Sequence, residues 1–392
     1  MIKDIKITQI LNSKGKPTIK IKIYTEKGIY SASVPSGTSK GVHEAIEISV
    51  SKVLKDFPKI KKKFIGLEEK ENIDNLLEKI DGTKKFSKIG GNLALAISVA
   101  FARAKTSGEL WKLNGLKKIY KFPFPLGNVI GGGAHGGGSD FQEFLILPWK
   151  AKNPKEAVET NLKVYNLIGK ELKKRNLLIG KNFENAWKTK LNDLETLEFL
   201  SKITEDFELK IGIDFAASNF WNGKFYNYKK LGKTLSPGEQ IDFIKEIKEK
   251  YNLYYLEDPF QEEDFKSFSE LRKKVKNCLI VGDDLICTNP ERIKRGIKSI
   301  NGVIIKPNQI GNLSLAKKVV DIAKKNKIVP IISHRSGETL DNWIADLAIA
   351  WETPIIKTGA YGKERLSKLN RLIEIWNEVK NKKMNELIFK TF

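Results

Sequence analysis

Cysteine, histidine and methionine are scarce in this chain of 392 residues, which contains two Cys, three His and two Met. We interpret Cys278 and Cys287, which flank one apolar run, as small buried residues of a protein in a reducing compartment. The sequence has no run of 18 or more apolar residues, which excludes a transmembrane helix. The N-terminal MIKDIKITQI alternates like a strand and lacks the apolar stretch of a signal peptide. Together these absences predict a cytoplasmic protein that does not bind membranes.

Acidic residues are outnumbered, with 47 Asp and Glu against 70 Lys and Arg, for a formal charge of +23. Such a charge raises the possibility of a nucleic-acid-binding protein, which would bind with a steep salt dependence. The excess is mostly lysine spread through the predicted helices, without an Arg-rich tail or interleaved aromatic and basic residues. We therefore favour a lysine-rich solvated surface and expect no nucleic-acid partner. A positive field would also attract an anionic small substrate.

Short apolar runs between residues 200 and 360 repeatedly end on a charged or polar residue of a catalytic type. The residues at these ends are Asp214, Glu257, Asp283, Lys306, His334 and Lys357. Each gap leaves room for one helix and two short loops. Repeated strand–helix units with reactive residues at the strand ends are typical of a βα-barrel whose active site lies at the carboxyl face of its strands.

The N-terminal third has a different pattern. Residues 4–34 alternate as an antiparallel meander, and helical periodicity follows. The predicted helices cover 43–54, 68–79 and 92–107. The segment KFPFPLGN, 121–128, is interpreted as a linker. The sequence thus predicts a small α+β capping domain over 1–123 and a βα-barrel catalytic domain over 124–392.

The strand-end residues indicate a divalent metal beside a lysine base. Mg²⁺ prefers hard oxygen ligands, and Asp214, Glu257 and Asp283 end three consecutive predicted strands. Any one of them could merely cap the following helix, but three together favour a metal site. Lys306 and Lys357 also end strands, and a nearby divalent cation would lower the pKa of a lysine, as a general base requires.

Polar motifs around these strands supply further candidates. His135 and His334 lie in GGGAHGGG and SHRSGET, and neither lies on an apolar helical face. Arg335 and Ser336 directly follow a predicted strand, where a guanidinium, a hydroxyl and backbone N–H groups suit a phosphate or carboxylate. Ser39, in the loop SGTSKG, is placed where its hydroxyl could reach a metal or a phosphate.

These residues belong to motifs that together resemble the enolase family, the 2-phosphoglycerate dehydratases. The motifs are VPSGTSKGVHEA, QEF, IDFAAS, EDPF, GDDL, KPNQIG, SHRSGET and IKTG. Their order and spacing cover nearly the whole chain. The resemblance implies an enolase-type barrel, a magnesium-dependent lyase that interconverts 2-phosphoglycerate and phosphoenolpyruvate, and a homodimer or a larger ring of dimers.

The resemblance also implies a role for each candidate. Asp214, Glu257 and Asp283 would bind the first Mg²⁺, and Ser39 would help to bind a second ion that arrives with the substrate. Lys306 would remove the C2 proton, and Lys357 would bind the substrate carboxylate. The residues implied to hold the phosphate or line the pocket are His135, Gln142, Glu143, His334, Arg335 and Ser336.

One stretch departs from the family, which carries a GDEGGFAP-like run with the glutamate thought to protonate the departing hydroxide. Here the stretch reads GKNFENAW, and a gapless match places Asn182 where that acid should be. Glu184 would replace it only if the loop shifts. Smaller departures are Lys14 in place of arginine and Gly131 in place of asparagine.

Two functions therefore remain open at this point. One is a working, divergent enolase in which Glu143, Glu184 or water covers the acid role. The other is an enolase-fold protein with weak or absent dehydratase activity that serves in binding or as a structural protein. Retention of all the metal ligands and both lysines favours the first. Other enzymes of the superfamily, such as sugar-acid dehydratases and cycloisomerases, lack the SGTSKG and SHRSGET pairing.

Overall fold

The structure is a computed structural model that describes residues 1–37 and 41–387. Its strands are β1 (Ile2–Leu11), β2 (Pro17–Thr25), β3 (Ile29–Ser33), β4 (Tyr120–Phe122), β5 (Phe124–Gly131), β6 (Glu143–Leu147), β7 (Leu178–Lys181), β8 (Trp187–Thr189), β9 (Lys210–Asp214), β10 (Tyr226–Tyr228), β11 (Lys233–Leu235), β12 (Tyr255–Glu257), β13 (Leu279–Gly282), β14 (Gly302–Ile305), β15 (Val329–Ser333), β16 (Ile355–Lys357) and β17 (Lys382–Met384). Its α-helices are α1 (Val50–Lys61), α2 (Ile73–Asp81), α3 (Gly91–Lys105), α4 (Pro154–Lys174), α5 (Asp193–Thr204), α6 (Pro237–Lys250), α7 (Phe265–Lys274), α8 (Pro290–Gly296), α9 (Leu313–Lys325), α10 (Trp343–Ala350) and α11 (Lys363–Glu378). Within these described ranges, no helix combines the length and the apolar character needed to cross a membrane.

The N-terminal meander forms as its alternation predicts. Strands β1, β2 and β3 pair antiparallel in that order, and Ile19, Ile21 and Ile23 of the central strand are fully buried. Helix α3 packs on this sheet, and nearly all of its residues are buried because its sequence is rich in alanine and branched apolar residues. The meander and its helices thus build an α+β unit, and its buried apolar residues are continuous with those packed around the barrel.

The first helix of this unit begins later than predicted. The prediction of 43–54 was wrong at its start, because α1 begins at Val50. The backbone N–H of Ala45 donates to Gln309 O at 2.7 Å, and that of Ile46 donates to Lys85 O at 2.7 Å. These bonds to other segments replace the helical ones, so the chain before α1 is held in an irregular loop.

The barrel closes through a ring of parallel and antiparallel pairings. In the described part of the chain, eight strands form it in the order β5, β6, β9, β12, β13, β14, β15 and β16, with β16 pairing back to β5. Strand β6 runs antiparallel to both of its neighbours, and Glu143 at its start pairs with Asp214 at the end of β9. Because β6 is reversed, its first residue lies at the same edge as the carboxyl ends of the other strands.

The predicted linker was wrong. Its residues form β4 and β5, and all eight residues of β5 are buried as the first barrel strand. Pro125 misled the prediction, but a proline near the start of a strand removes little of the hydrogen-bond ladder. The predicted domain boundary after residue 123 stays a prediction.

Contacts between the two units include specific polar pairs. Arg103 Nη2 of α3 lies 2.7 Å from Asp341 Oδ1 in the loop after β15, and the Ser33 N–H donates to Asp341 Oδ2 at 2.8 Å. The N-terminal unit is therefore fixed over the edge of the barrel where the catalytic-type residues lie.

Candidate active site

The strand-end residues meet at one buried pocket. Its wall contains the predicted residues His135, Gln142, Glu143, Glu184, Asp214, Asp283, Lys306, His334, Arg335, Ser336 and Lys357. Glu257 lies directly beneath them, fully buried in register with Asp214. Ser39 lies outside the described residues. The barrel explains the gathering, because the carboxyl ends of its parallel strands and the start of the reversed strand β6 share one edge.

Lys357 lies at the centre of a group of carboxylates. Its Nζ is 2.6 Å from Glu257 Oε2, 3.0 Å from Asp214 Oδ2 and 3.0 Å from Glu143 Oε2, and all of these side chains are buried. Burial disfavours the charged ammonium, but the surrounding carboxylates outweigh it and raise the pKa of Lys357 well above its usual range. Lys357 is thus held by three acidic side chains at once.

Lys306 pairs with the next acid along the barrel. Its Nζ donates to Asp283 Oδ2, and its backbone N–H donates to Thr288 Oγ1 at 2.8 Å. Burial opposes the charge of Lys306, but the Asp283 carboxylate raises its pKa. This raised pKa is that of the chain without a cation, so the expectation of a pKa lowered by a neighbouring divalent cation stays a prediction.

The acids of this group fit a divalent cation. Glu257 Oε1 is buried and has no hydrogen-bond partner among the described residues. Burial, and next the charge of Asp214, raise the pKa of Glu257 to about 8, and burial likewise raises the pKa of Asp214. Oxygen-only donors that repel one another in a buried site suit a hard cation such as Mg²⁺. Gln142 lies beside them, with Nε2 3.4 Å from Asp214 Oδ2.

Sequence reasoning missed Asp258, an acid that lies beside the predicted metal ligand Asp283. Among the described residues, the carboxylates of Asp258, Asp283 and Asp284 approach within 4.8 Å of one another. Asp258 Oδ1 accepts from the Asp283 N–H at 3.0 Å and Oδ2 accepts from the Asp284 N–H at 2.7 Å. Asp258 has a φ of 40°, uncommon outside glycine. The paired acids of EDPF and GDDL were the available signal.

A second group contains the candidate acids. Glu143 Oε1 lies 3.8 Å from His135 Nδ1, and the Glu184 carboxylate lies 4.0 Å from His135 Nε2 and 3.8 Å from His334 Nε2. Burial raises the pKa of Glu143, whereas the charges of His135 and Arg365 overcome burial and lower the pKa of Glu184 to about 2. These opposite shifts favour the protonated form at Glu143 and the ionised form at Glu184.

His334 is neutral. Burial, and next the charge of Arg365, hold the pKa of His334 well below its usual range. Its Nδ1 is buried and makes no hydrogen bond within the described ranges. A neutral imidazole at this position provides a hydrogen-bonding group for a ligand in the pocket.

Glu184 reaches the pocket from a hairpin that the sequence did not predict. Strands β7 and β8 pair antiparallel, and β8 extends the barrel sheet beside β5. Their turn places Glu184 in the wall of the pocket, whereas the Asn182 side chain bonds within the turn. Counting back from Trp187, rather than forward from Gly180, aligns Glu184 with the glutamate of the family motif. The glutamate of GDEGGFAP precedes the phenylalanine by three positions, as Glu184 precedes Trp187.

Arg335 lies at the opposite wall. Its Nη1 and Nη2 donate to Glu44 Oε2 and Oε1 at 3.0 and 3.1 Å, a bidentate pair with both side chains buried. Ser336 follows it on the pocket wall. Glu44, a residue the sequence did not single out, thus joins the loop before α1 to the candidate phosphate ligand.

A larger cavity, about 590 Å³, lies between α3 and α9, whereas the pocket described above has about 90 Å³. The charged residues that line the larger cavity are mostly exposed. Its buried acid, Asp74, accepts hydrogen bonds from the N–H and the hydroxyl of Ser314. The smaller pocket holds the buried acids and lysines, so we assign the candidate active site to it.

The fold and this pocket define a βα-barrel enzyme with buried lysines and a carboxylate group suited to a divalent cation. A family model described as "Enolase, N-terminal domain" matches residues 2–113, and one described as "Enolase, C-terminal TIM barrel domain" matches residues 119–386. The chain is similar to proteins named enolase from Methanosphaera stadtmanae (42% identity over 99% of both chains) and Archaeoglobus fulgidus (40% identity over 96% of this chain and 97% of the relative). A third enolase, from Methanothermobacter thermautotrophicus, is 38% identical over 99% of each chain. This chain belongs to the enolase family, which confirms the resemblance and the predicted fold class.

Proposed function

We propose that this chain catalyses the reversible dehydration of 2-phosphoglycerate to phosphoenolpyruvate in glycolysis and gluconeogenesis. The observation that carries the proposal is the arrangement of Lys306, Lys357 and the Glu143–Glu184 pair around one set of buried carboxylates at the carboxyl face of the barrel. The names of the similar proteins agree with it. No observation favours the alternative of an inactive enolase-fold protein.

Asp214, Glu257 and Asp283 are proposed to hold Mg²⁺, with a second ion bound together with the substrate and Ser39 among its ligands. When bound, the cations supply positive charge opposite the negative charge that develops on the substrate carboxylate. Lys357, already surrounded by Asp214, Glu257 and Glu143, provides a further positive group for that carboxylate.

Lys306 is proposed to remove the proton from C2 of the substrate. Its ammonium pairs with Asp283, so Lys306 becomes a base only after this ion pair loosens and the amine is neutral. A cation on Asp283 and the nearby charges of Lys357 and Arg335 act in that direction. The electron pair left at C2 then forms the double bond to C3 as hydroxide departs.

The Glu143–Glu184 pair is proposed to deliver the proton that converts the departing hydroxide to water. The two buried carboxyls interact closely, so the acid role is proposed for the pair as a unit. His135 lies 3.8 Å from Glu143 Oε1 and 4.0 Å from Glu184 Oε1 and is proposed to interact electrostatically with both. The C2 proton goes to Lys306 and the pair's proton goes to the leaving group, so atoms and charges balance.

Arg335 and Ser336 are proposed to bind the phosphate, and His135, Gln142 and His334 to line the remaining wall. A guanidinium fork matches two phosphate oxygens. Arg335 is held by Glu44 in the free chain, which keeps the fork in place but leaves a carboxylate beside an anionic ligand. Phosphate binding by Arg335 is therefore proposed to require a rearrangement of its guanidinium.

A homodimer or larger oligomer in the cytoplasm completes the proposal. Gel filtration with light scattering tests the oligomeric state. An electrophoretic shift assay with RNA at low salt tests the expectation that nucleic acid is not a partner.

Conversion of 2-phosphoglycerate by the purified protein tests the function. Ultraviolet absorbance follows the phosphoenolpyruvate formed, with Mg²⁺ or with EDTA. We expect turnover that requires Mg²⁺. A folded protein that binds Mg²⁺ and yet forms no phosphoenolpyruvate would overturn the proposal in favour of a binding or structural protein.

A further inference from the structure

We propose that Asn182 and Gly131 form a matched pair that positions Glu184, with Asn182 as a positioning residue for the acid. The inference rests on the proposed role of Glu184 and deepens it. Both residues are positions where this chain departs from its family, and the structure brings them into contact.

The Asn182 side chain closes the turn that presents Glu184. Its Oδ1 accepts from the Glu184 N–H at 2.9 Å and from the Ala186 N–H at 3.0 Å. On the backbone, the Asn182 N–H donates to Ala186 O at 2.9 Å and the Asn185 N–H donates to Asn182 O at 3.0 Å. Asparagine is suited to such a turn because its short side chain reaches the N–H groups of the residues that follow.

Glu184 depends on this turn for its position. Beyond its contact with Glu143, its carboxylate is 3.5 Å from Asn128 Nδ2 and 3.8 Å or more from the two pocket histidines. Contacts of this length fix a side chain weakly. The backbone conformation that Asn182 imposes therefore sets where the carboxyl group lies.

Other contacts hold the outside of the same turn. Asn185 has a φ of 66°, and its carbonyl accepts from the Tyr165 hydroxyl at 2.5 Å. Lys181, just before the turn, lies with Nζ 4.4 Å from the ring centroids of both Trp187 and Tyr361. The hairpin is thus anchored from outside, and Asn182 determines the geometry inside.

Gly131 provides the room that Asn182 occupies. A Cβ added at Gly131 would lie 2.3 Å from Asn182 Nδ2, far inside van der Waals contact. Gly131 lies within β5 and outside the left-handed region, so the requirement for glycine there is space and not backbone conformation. Asn182 Nδ2 is buried without a hydrogen-bond partner in the described residues. The hydrogen bonds of this side chain are therefore those that its Oδ1 accepts inside the turn.

The test compares Asn182→Ala, Gly131→Ala and the double variant with wild type and with Asn222→Ala. Asn222 is a matched control, because its Oδ1 accepts from two backbone N–H groups at 3.0 and 2.8 Å in an exposed turn outside the pocket wall. Each protein is assayed for kcat and KM with 2-phosphoglycerate and Mg²⁺. In D₂O, exchange of the C2 hydrogen reports proton removal by Lys306 separately from loss of hydroxide.

Misplacing the acid should lower kcat by about tenfold or more, within the range for general acid catalysis, and leave KM within about twofold. Exchange at C2 should persist in Asn182→Ala and Gly131→Ala while phosphoenolpyruvate formation falls. In the double variant kcat should be close to that of Asn182→Ala alone, because removing the Asn182 side chain also removes its conflict with the methyl group added at position 131. Asn222→Ala should match wild type.

Wild-type kcat in Asn182→Ala would overturn the inference, as would a parallel loss of exchange and dehydration. If Asn182→Ala does not fold, as judged by circular dichroism, Gly131→Ala carries the same test with Asn182 intact. Glu184→Gln separates the two levels of argument. If Glu184→Gln loses dehydration while Asn182→Ala keeps wild-type turnover, Glu184 remains the acid and only the proposed role of the Asn182–Gly131 pair is refuted. If Glu184→Gln itself keeps wild-type turnover, the acid role of Glu184 is refuted.

Discussion

Replacing Lys306 with alanine separates two roles of its side chain. Its Nζ forms an ion pair with Asp283 Oδ2, and the two side chains are 15% and 10% exposed. In the proposed reaction, the same nitrogen removes the C2 proton. The substitution therefore removes the base and also the positive charge beside a candidate metal ligand.

The size of each effect follows from the structure. Loss of a general base lowers turnover by about 10²–10⁴-fold. Removing one partner of a buried ion pair lowers the free energy of unfolding by about 3–5 kcal/mol. Because Gln309 Nε2 also lies 3.3 Å from Asp283 Oδ1 and both partners keep some exposure, we expect about 2–3 kcal/mol without divalent cations. Mg²⁺ should narrow the difference in the free energy of unfolding between Lys306→Ala and wild type. A cation bound at Asp283 would replace the lost ammonium charge and stabilise the folded state by binding to it.

Two assays measure these effects independently. Turnover is followed by the absorbance of phosphoenolpyruvate, and stability by unfolding in guanidinium chloride with EDTA or with Mg²⁺. Lys294→Ala is the control, because Lys294 is exposed and its ion pair with Glu291 lies on the surface of α8. Undiminished turnover in Lys306→Ala would refute the base assignment. Unchanged stability in EDTA, together with a wild-type response to Mg²⁺, would refute the ion-pair reasoning.

Three further substitutions test the metal, the phosphate ligand and the domain contact. Glu257→Gln should weaken Mg²⁺ binding by at least about tenfold in calorimetry, since it removes a charged ligand; unchanged binding would exclude Glu257 as a ligand. Arg335→Lys should raise KM for 2-phosphoglycerate by about tenfold, because lysine cannot reproduce the fork that pairs with Glu44; an unchanged KM in steady-state kinetics would argue against phosphate binding there. Asp341→Asn should lower the free energy of unfolding at neutral pH by about 2–3 kcal/mol. Burial opposes ionisation of Asp341, but Arg103 lowers its pKa, so its stabilisation is present above the ordinary value of 3.8 and is lost as pH falls through the lowered pKa. The difference from wild type in urea unfolding should shrink in that acidic range, and a constant difference would contradict the linkage.

The barrel could be predicted because its strands have a simple physical signature. A strand buried on both faces appears as a short apolar run, and the first polar residue after it marks the carboxyl edge, as at Asp283 and Lys306. The segment 121–128 misled the same reasoning because its prolines resemble a linker, although Phe124–Gly131 is the first barrel strand. The loop before α1 was likewise assigned to a helix. That prediction was wrong because the hydrogen bonds of the loop go to residues distant in sequence, which local periodicity does not show.

The candidate acid shows why a gapless match does not place every residue of the site. A gapless match assumes that each residue of a loop keeps its place, which holds in strands, where the ladder fixes register, and fails in turns, where a side chain can replace backbone contacts. Here Asn182 Oδ1 accepts two backbone hydrogen bonds inside the turn, and the side chain that faces the pocket is that of Glu184. The room for that asparagine comes from Gly131, which is 51 positions earlier in the chain and on another strand. Two departures that weaken the resemblance when taken singly are thus complementary in space, and only the folded chain brings them together.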